Sequence, residues 1–252
     1  MAATPTSSGP SVRLDELTVA LQPVLNLRTG GVYGFEALLR GPEGCDVNPP
    51  ALFRRARREG WAEALEYRAR GLAVEAANRY LRDKEVLFLN GDVRYPVDPS
   101  CYPHLVLEIS EARNVDRRVI DKLQRNGLAL FLDDYGVSHG NLSRLLEMQP
   151  TGIKVDRAII QGISTDPRRY VVARALATLA DDLSIAIVAE GIETAEDLAA
   201  VRRVGFGYGQ GYFLGQPKLV PDRRYLNQLR HSLREASDAP SRERGAAIAA
   251  MF

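Results

Sequence analysis

The sequence predicts an α/β fold, and most simply a (β/α)8 barrel of the TIM type. Short apolar runs alternate with amphipathic stretches along most of the 252 residues, which is the pattern of a parallel sheet with crossover helices. This length suits one α/β barrel. A doubly wound open sheet is the main competing fold. The barrel is favoured because polar residues recur at the ends of the apolar runs, and the parallel strands of a barrel end on one face.

The predicted elements follow from local patterns along the chain. Strands are predicted over 17–25, 32–39, 85–89, 105–107, 128–132, 152–156, 185–189 and 205–213. Helices are predicted over 51–58, 62–81, 115–125, 142–148, 167–182, 194–204 and 225–234. Thr29-Gly30-Gly31 is a turn between the first two strands, and Asn126-Gly127 ends a helix. Thr194 is expected to cap a helix through Asp197.

The composition excludes several classes of protein. A net charge of +1 argues against a binder of nucleic-acid polymers. Cys45 and Cys101 form neither a disulfide framework nor a metal-binding spacing. No apolar run approaches the roughly 20 residues of a membrane span, and no signal peptide is recognisable. We therefore expect a cytoplasmic protein whose barrel covers residues 13–235, between a disordered tail at 1–12 and a C-terminal tail at 236–252.

Polar side chains stand at or near the ends of the predicted strands and are the candidates for a functional site. They are Glu36, Asn90, Glu108, Asp133, Asp134, Lys154, Glu190 and Gln210. In a barrel these residues meet in one pocket. So much negative charge in one pocket requires cations. Carboxylate and carbonyl oxygens suit Mg2+, Mn2+ or Ca2+ better than Zn2+ or copper.

The strand predicted over 128–132 runs directly into two adjacent carboxylates, Asp133 and Asp134. Neighbouring side chains on a strand point to opposite faces, so the two can converge on one ion pair only if the strand ends there. Two carboxylates side by side repel unless a cation or proton lies between them. From this pair alone, an Asp-rich turn is an equally open interpretation.

A pair of metal ions in this pocket would suit phosphoryl chemistry. Two ions about 3.5–4 Å apart activate a shared water and stabilise both oxygens of an in-line displacement. Lys154 would neutralise developing negative charge or position that water, and Arg40 suits a phosphate oxygen. The residues therefore predict metal-dependent hydrolysis of a phosphate ester. The arginines of the first helix, Arg54 to Arg58, are expected to form only a solvated face.

Eight short motifs occur in a fixed order between the first and the last predicted strand. They are Gln22-Pro23, Phe35-Glu36-Ala37-Leu38-Leu39-Arg40, Leu89-Asn90, Leu107-Glu108-Ile109-Ser110-Glu111, Asp133-Asp134-Tyr135-Gly136, Ile153-Lys154-Val155-Asp156, Val188-Ala189-Glu190-Gly191-Ile192-Glu193-Thr194 and Gly209-Gln210-Gly211-Tyr212. This ordered set resembles the EAL family, bacterial phosphodiesterases that linearise cyclic di-GMP. A lone Glu-Ala-Leu would carry no weight, whereas the ordered set is highly specific.

The resemblance implies a modified barrel whose first strand is antiparallel to the others, two Mg2+ or Mn2+ ions, and a homodimer. The implied ligands are Glu36, Asn90, Glu108 and Asp133 for one ion, and Asp133, Asp134 and Glu190 for the other. The implied catalytic residues are Lys154, Glu190 and Gln210, of which Lys154 and Gln210 would position or activate the attacking water. Gln22 and Arg40 would contact the dinucleotide. The implied product is linear 5′-pGpG.

The loop after the Asp pair departs from the family pattern. Active members usually read Asp-Asp-Phe-Gly-Thr-Gly-Tyr-Ser-Ser-Leu, whereas residues 133–142 read Asp-Asp-Tyr-Gly-Val-Ser-His-Gly-Asn-Leu. Val137 lacks a hydroxyl, Ser138 replaces a permissive glycine, and His139 replaces a tyrosine. In the family this loop couples the metal site to the dimer interface, and Glu111 and Glu193 match the residues that anchor it.

Three functions are therefore weighed. The first is an active cyclic di-GMP phosphodiesterase. The second is a non-catalytic receptor that binds the nucleotide and signals to a partner; the altered loop at 137–141 motivates it and the complete ligand set opposes it. The third is an unrelated metal-dependent barrel enzyme, such as an enolase-type lyase. That enzyme would need an acid-base Lys or His pair, which the sequence does not single out.

Overall fold

The computed structural model describes six stretches of the chain, which contain most of the predicted barrel. They are residues 13–42, 48–95, 97–111, 115–137, 142–219 and 224–230. The predicted tails at 1–12 and 236–252 lie outside the described residues. The same holds for Cys45, for the loop residues 138–141 and for the end of the last predicted helix, 231–234.

The strands form a single sheet that closes on itself. Within the described residues they are β1 (Thr18–Asn26), β2 (Val32–Arg40), β3 (Val86–Asn90), β4 (Leu105–Ser110), β5 (Ala129–Tyr135), β6 (Gly152–Val155), β7 (Ala186–Ala189), β8 (Tyr208–Gly209) and β9 (Lys218–Leu219). β2 to β8 are parallel, each paired with the next. β1 is antiparallel to both β2 and β8 and closes an eight-stranded barrel, and β9 pairs with β1. The predicted barrel with an antiparallel first strand is confirmed, and the open sheet is wrong.

Helices connect the parallel strands. In the described part they are α1 (Pro49–Glu59), α2 (Ala62–Tyr80), α3 (Arg117–Arg125), α4 (Leu142–Met148), α5 (Arg157–Ile160), α6 (Pro167–Asp182) and α7 (Ala195–Val204), and residues 224–230 are also helical. The bounds of α4 and α6 match the prediction. Thr194 caps α7 as expected, because its hydroxyl accepts a hydrogen bond from the backbone of Asp197 at 3.1 Å. The short helix α5 was not predicted.

An apolar layer fills the barrel directly beneath the polar residues of the strand ends. Phe88, Val106, Phe131 and Val188 are buried together, and the rings of Phe88 and Phe131 meet edge to face at 5.4 Å. Each of the four lies two positions before a candidate site residue, so it shares that residue's face of the sheet. At the matching position on β6, a Cβ on Gly152 would come within 2.3 Å of the Phe131 ring. Glycine there makes room for the ring.

Three strands differ in length from the prediction by two residues or more. β4 continues through Glu108 to Ser110, and β5 continues through the Asp pair to Tyr135. Both are prolonged by neighbouring strands, because Ser110 pairs with Asp133 and Tyr135 pairs with Val155. β8 has two residues rather than the predicted nine. The length of these strands therefore depends on pairing with strands distant in sequence, which a local sequence pattern cannot predict.

A buried ion pair ties the last described helix to the start of β3. Arg230 donates to both carboxylate oxygens of Glu85, at 2.7 Å and 2.5 Å, and to the carbonyl of Tyr80 at 3.2 Å. Both side chains of the pair are at most 10% exposed. A bidentate arginine–carboxylate pair of this kind is geometrically specific.

We expect Arg230→Ala to lower the free energy of unfolding by about 3–5 kcal/mol, because it leaves the Glu85 carboxylate buried and unpaired. Chemical denaturation followed by circular dichroism measures the loss. The control is Arg55→Ala, which removes the exposed pair of Arg55 with Glu59 and should leave the free energy of unfolding almost unchanged. Equal losses in the two variants would contradict a specific role for the buried pair.

Candidate metal centre

The polar side chains at the strand ends surround the ammonium group of Lys154, on β6. Its Nζ lies 2.7 Å from Glu190 Oε1, 2.8 Å from Glu108 Oε1, 3.2 Å from Glu36 Oε2 and 3.5 Å from Asp133 Oδ1. The Lys154 and Glu108 residues are each 1% exposed. One positive charge therefore faces four carboxylates with little water to screen them.

Amide side chains complete the network. Asn90 Nδ2 donates to Glu36 Oε1 at 2.7 Å and to Glu108 Oε2 at 3.1 Å. Gln210, directly after β8, donates through Nε2 to Glu36 Oε2 at 2.6 Å and to Gln22 Oε1 at 3.0 Å. Gln22 lies opposite Glu36 because β1 and β2 pair in that register. The antiparallel first strand thus brings an amide to the metal-ligand candidates.

A backbone bulge places the two carboxylates of the Asp pair. The pairing of β5 with β6 shifts between Leu132 and Tyr135, and Asp134 has a φ of 56°, in the left-handed region. Aspartate adopts this region more readily than most residues, at a cost on the order of 1–3 kcal/mol. Asp133, Asp134 and Glu190 each offer one oxygen, and these oxygens lie within 4.8 Å of one another. The expectation that the strand ends at the pair is wrong.

Burial raises the pKa of several of these carboxyl groups. It holds the pKa of Glu108 well above the usual range and raises that of Asp133, in both cases against the attraction of Lys154. Burial and the adjacent Asp133 carboxylate raise the pKa of Asp134 to about 6. Burial, Asp133 and Glu36 raise the pKa of Glu190 to about 8. One ammonium group does not compensate so many acids.

Two groups of the cluster keep their charge. Burial acts to raise the pKa of Glu36, but Lys154 and the hydrogen bonds from Gln210 and Asn90 outweigh it, so the pKa is lowered. Burial acts to lower the pKa of Lys154, but the surrounding carboxylates outweigh it and raise the pKa well above the usual range. Lys154 is therefore a hydrogen-bond donor and not a base in this structure.

The donor atoms fit a hard divalent cation. Glu108 Oε1 and Asp133 Oδ1 are buried and lie 2.8 Å and 3.5 Å from Nζ of Lys154. They share this one ammonium with Glu36 and Glu190. Carboxylate and amide oxygens are the ligands that Mg2+, Mn2+ and Ca2+ prefer, and added positive charge would relieve the repulsion that raises the acid pKa values.

The structure places Arg40 beside this cluster rather than inside it. Arg40 lines a cavity of about 820 Å3 whose lining also includes Glu36, Asn90 and Glu108. Its Nη1 donates to the carbonyl of Leu39 at 2.9 Å. Arg40, which is predicted to contact the substrate, therefore lies on the wall of a cavity next to the metal-ligand candidates.

The two predicted loop anchors have different surroundings. Glu111 is buried, and its Oε2 accepts a hydrogen bond from the backbone of Gly136 at 3.2 Å, at the start of the loop after β5. Glu193 accepts instead from Gln161 Nε2 at 2.7 Å. Val137 is 55% exposed. Glu111 therefore contacts the described part of this loop, whereas the described hydrogen bond of Glu193 is made with Gln161.

A second cavity, of about 340 Å3, is lined in part by residues that the sequence analysis did not single out. Its lining includes Gln22, Glu190 and Gln210 together with Arg157 and Tyr212. Arg157 directly follows the motif that ends at Asp156, and Tyr212 is the last residue of the eighth motif; these positions are the only local signal for the two residues. Tyr212 is 58% exposed, so it offers an aromatic face beside the polar cluster.

A close backbone approach fixes the position of Gln210. A Cβ on Gly211 would lie 2.2 Å from the carbonyl oxygen of Ile192, so only glycine fits at that point. The backbone of Ile192 in turn donates to the carbonyl of Gln210 at 3.1 Å. The glycine after Gln210 therefore lets the segments that follow β7 and β8 pack together and hold this amide in the cluster.

Comparison with known proteins gives one family over most of the chain. The family model described as "EAL domain" matches residues 10–217. The "Probable cyclic di-GMP phosphodiesterase PdeG" of Escherichia coli (strain K12) is 28% identical over 226 residues, which span 80% of this chain and 45% of that protein. The "Cyclic di-GMP phosphodiesterase NbdA" of Pseudomonas aeruginosa is 28% identical over 238 residues, which span 82% of this chain and 30% of that protein. The chain thus spans less than half the length of these curated relatives.

A solved structure of Klebsiella pneumoniae BlrP1, a calcium/cy-diGMP complex at pH 8.0, has the same fold. Its TM-score is 0.73 at 24% identity, over 85% of this chain and 59% of that chain. A manganese/cy-diGMP complex of BlrP1 at pH 6 gives a TM-score of 0.72 at 24% identity, over 86% of this chain and 60% of that chain. At this identity the likeness shows the fold alone.

No helix in the described part of the chain combines the length and the apolarity needed to cross a membrane.

We expect Mn2+ to raise the thermal unfolding temperature more at about pH 9 than at about pH 6, because metal ions compete with protons for these carboxylates. With pKa values of about 8 for Glu190 and about 6 for Asp134, the metal-free site holds protons at the lower pH and releases them as the pH rises. Scanning fluorimetry with and without Mn2+ measures the difference. Glu190→Gln removes one titrating ligand and should reduce it. An equal rise at both pH values would refute the coupling.

Proposed function

The chain belongs to the EAL domain family, and from this membership we propose that it is a metal-dependent phosphodiesterase that hydrolyses cyclic di-GMP to linear 5′-pGpG. The observation that carries the proposal is the convergence of four carboxylates on Lys154 at one end of the barrel. Relatives named as cyclic di-GMP phosphodiesterases support it. So do the BlrP1 complexes with cy-diGMP and calcium or manganese.

The proposal includes two ions, Mg2+ or Mn2+. Their ligands are Glu36, Asn90, Glu108 and Asp133 for one ion, and Asp133, Asp134 and Glu190 for the other. When bound, such ions lower the pKa of a coordinated water and stabilise the oxygens of the reacting phosphate. The buried oxygens of Glu108 and Asp133, which share a single ammonium with two other carboxylates, support this assignment.

Three further side chains would act on the water and the substrate. Lys154 is surrounded by carboxylates that raise its pKa in the metal-free cluster, and its ammonium suits the stabilisation of negative charge that develops on the phosphate. Gln210 uses its Nε2 on Glu36 and Gln22, while its Oε1 is buried and accepts no hydrogen bond from the described residues. That oxygen is an acceptor for a water proton. Gln22 and Arg40 line the two cavities at the site and would contact the dinucleotide.

The remaining expectations from the sequence belong to the same proposal. We propose a homodimer in the cytoplasm, with the phosphodiesterase barrel over residues 13–235. Glu111 would anchor the loop after β5 through Gly136. Glu193 would support it less directly, since its described hydrogen bond goes to Gln161.

Incubation with cyclic di-GMP and Mn2+ or Mg2+, followed by chromatography, tests the proposal. We expect pGpG to form only with metal present. Glu36→Gln keeps the side-chain size but removes a ligand charge, so kcat/KM should fall at least about 100-fold, the upper range seen for residues that merely support metal ligands. Glu196→Gln, an exposed acid on α7, is the matched control and should behave as wild type.

The alternative outcome separates the enzyme from a receptor. If the protein binds cyclic di-GMP in calorimetry but forms no pGpG with either metal, the hydrolase is refuted and the chain is a nucleotide receptor. The altered loop that begins at Val137 would then be the first place to restore, with Val137→Thr as the initial variant.

A further inference from the structure

The lining of the 820 Å3 cavity divides into an acidic and a basic part. The barrel strands contribute Glu36, Asn90 and Glu108, which belong to the candidate metal centre. Helix α1 contributes Arg54 and Arg57. The volume of this cavity lies in the range of small-molecule sites, about 300–1,000 Å3. A single cavity thus joins a cation-binding region to a group of fixed positive charges.

Helix α1 holds these arginines in a defined orientation. Its first turn is capped by the side chain of Asn48, and it packs on the barrel through the buried Leu52 and Ala56. Residues three apart on a helix share a face, so Arg54 and Arg57 extend from neighbouring points of the surface beside the cavity. The helix is therefore a fixed support for both guanidinium groups.

Neither guanidinium has an acidic partner among the described residues. Arg54 and Arg57 make no ion pair and no side-chain hydrogen bond there. Their neighbour Arg55, by contrast, pairs with an acid one turn further along the helix at 2.8 Å. Glu66, the third carboxylate of the cavity lining, lies 3.4 Å from Arg70 on its own helix. The two α1 arginines are therefore available for an anionic ligand.

A cyclic dinucleotide presents two phosphodiester groups at a separation set by its ring. If the metal centre takes the phosphate that is cleaved, the other phosphate must lie elsewhere in the same site. A phosphate that leaves water needs charged hydrogen-bond donors, and the planar guanidinium group matches its oxygens bidentately. The basic part of the cavity supplies such donors next to the metal centre.

We propose that Arg54 and Arg57, together with Arg40, bind the phosphate of cyclic di-GMP that is not hydrolysed. This inference rests on the proposed function and adds substrate-recognition residues on α1. It differs from the expectation that the α1 arginines only form a solvated face. Arg58 fits that expectation, because it is exposed and is not among the residues of the cavity lining.

The test compares two double variants that remove the same charge from the same helix. Arg54→Gln/Arg57→Gln removes the cavity arginines, and Arg55→Gln/Arg58→Gln is the matched control. We expect the first to raise KM for cyclic di-GMP roughly 10-fold or more, with a much smaller change in kcat, because a charged hydrogen-bonded contact to the substrate is lost in ground and transition state alike. The control should stay within about twofold of wild type at moderate salt, where exposed charges are screened.

Two further measurements identify the phosphate as the ligand group. Bis(p-nitrophenyl) phosphate has a single diester, so Arg54→Gln/Arg57→Gln should lower kcat/KM for it less than for cyclic di-GMP. Arg54→Lys/Arg57→Lys keeps the charge and should recover part of the lost affinity, as expected for a phosphate contact. Both cavity variants should unfold at the wild-type temperature, since the two side chains are exposed.

Each outcome decides the proposal. Equal KM values for the cavity variant and the control refute the phosphate contact and leave the phosphodiesterase intact. An equal loss of kcat/KM on both substrates also refutes it, because the arginines would then act on the cleaved diester. If wild type neither hydrolyses cyclic di-GMP with Mg2+ or Mn2+ nor binds it in calorimetry with Ca2+, the proposed function fails and this inference fails with it.

Discussion

The ammonium group of Lys154 and the four carboxylates around it set the electrostatic constraint of this barrel. The carboxylates come from β2, β4, β5 and the residue after β7, and all lie within 3.5 Å of one nitrogen. Burial raises the pKa of Glu108, Asp133 and Glu190, and a single positive charge does not offset it. Lys154 and amide donors lower the pKa of Glu36. The cluster therefore lacks positive charge, which bound divalent cations would supply.

The barrel satisfies this constraint through two layers of side chains. The period of two along each strand puts an apolar residue beneath each polar one, as with Phe88 below Asn90 and Phe131 below Asp133. The apolar layer packs the strands together beneath the carboxylates. Closure by the antiparallel β1 then brings Gln22 opposite Glu36, which links the first strand to the amide of Gln210.

The cavity beside the cluster has an acidic part at the barrel strands and a basic part at α1. Acidic groups at the strand ends suit cations, whereas the arginines of α1 suit an anion, and both line the same space. A dinucleotide with two phosphates matches such a surface better than a simple monoester would. The family membership and the geometry therefore support the same proposed chemistry.

Local sequence determined the identity of the polar strand ends, the order of the motifs and the bounds of helices such as α4 and α6, because capping and apolar periodicity act over a few neighbouring residues. Tertiary structure alone decided what depends on partners distant in sequence. The bulge that turns Asp134 toward Glu190 arises where β5 meets β6, and the lengths of β4 and β5 follow from their neighbours. The facing of Arg54 and Arg57 toward a cavity depends on how α1 packs on the barrel, and a pattern of charges along a helix does not contain that information.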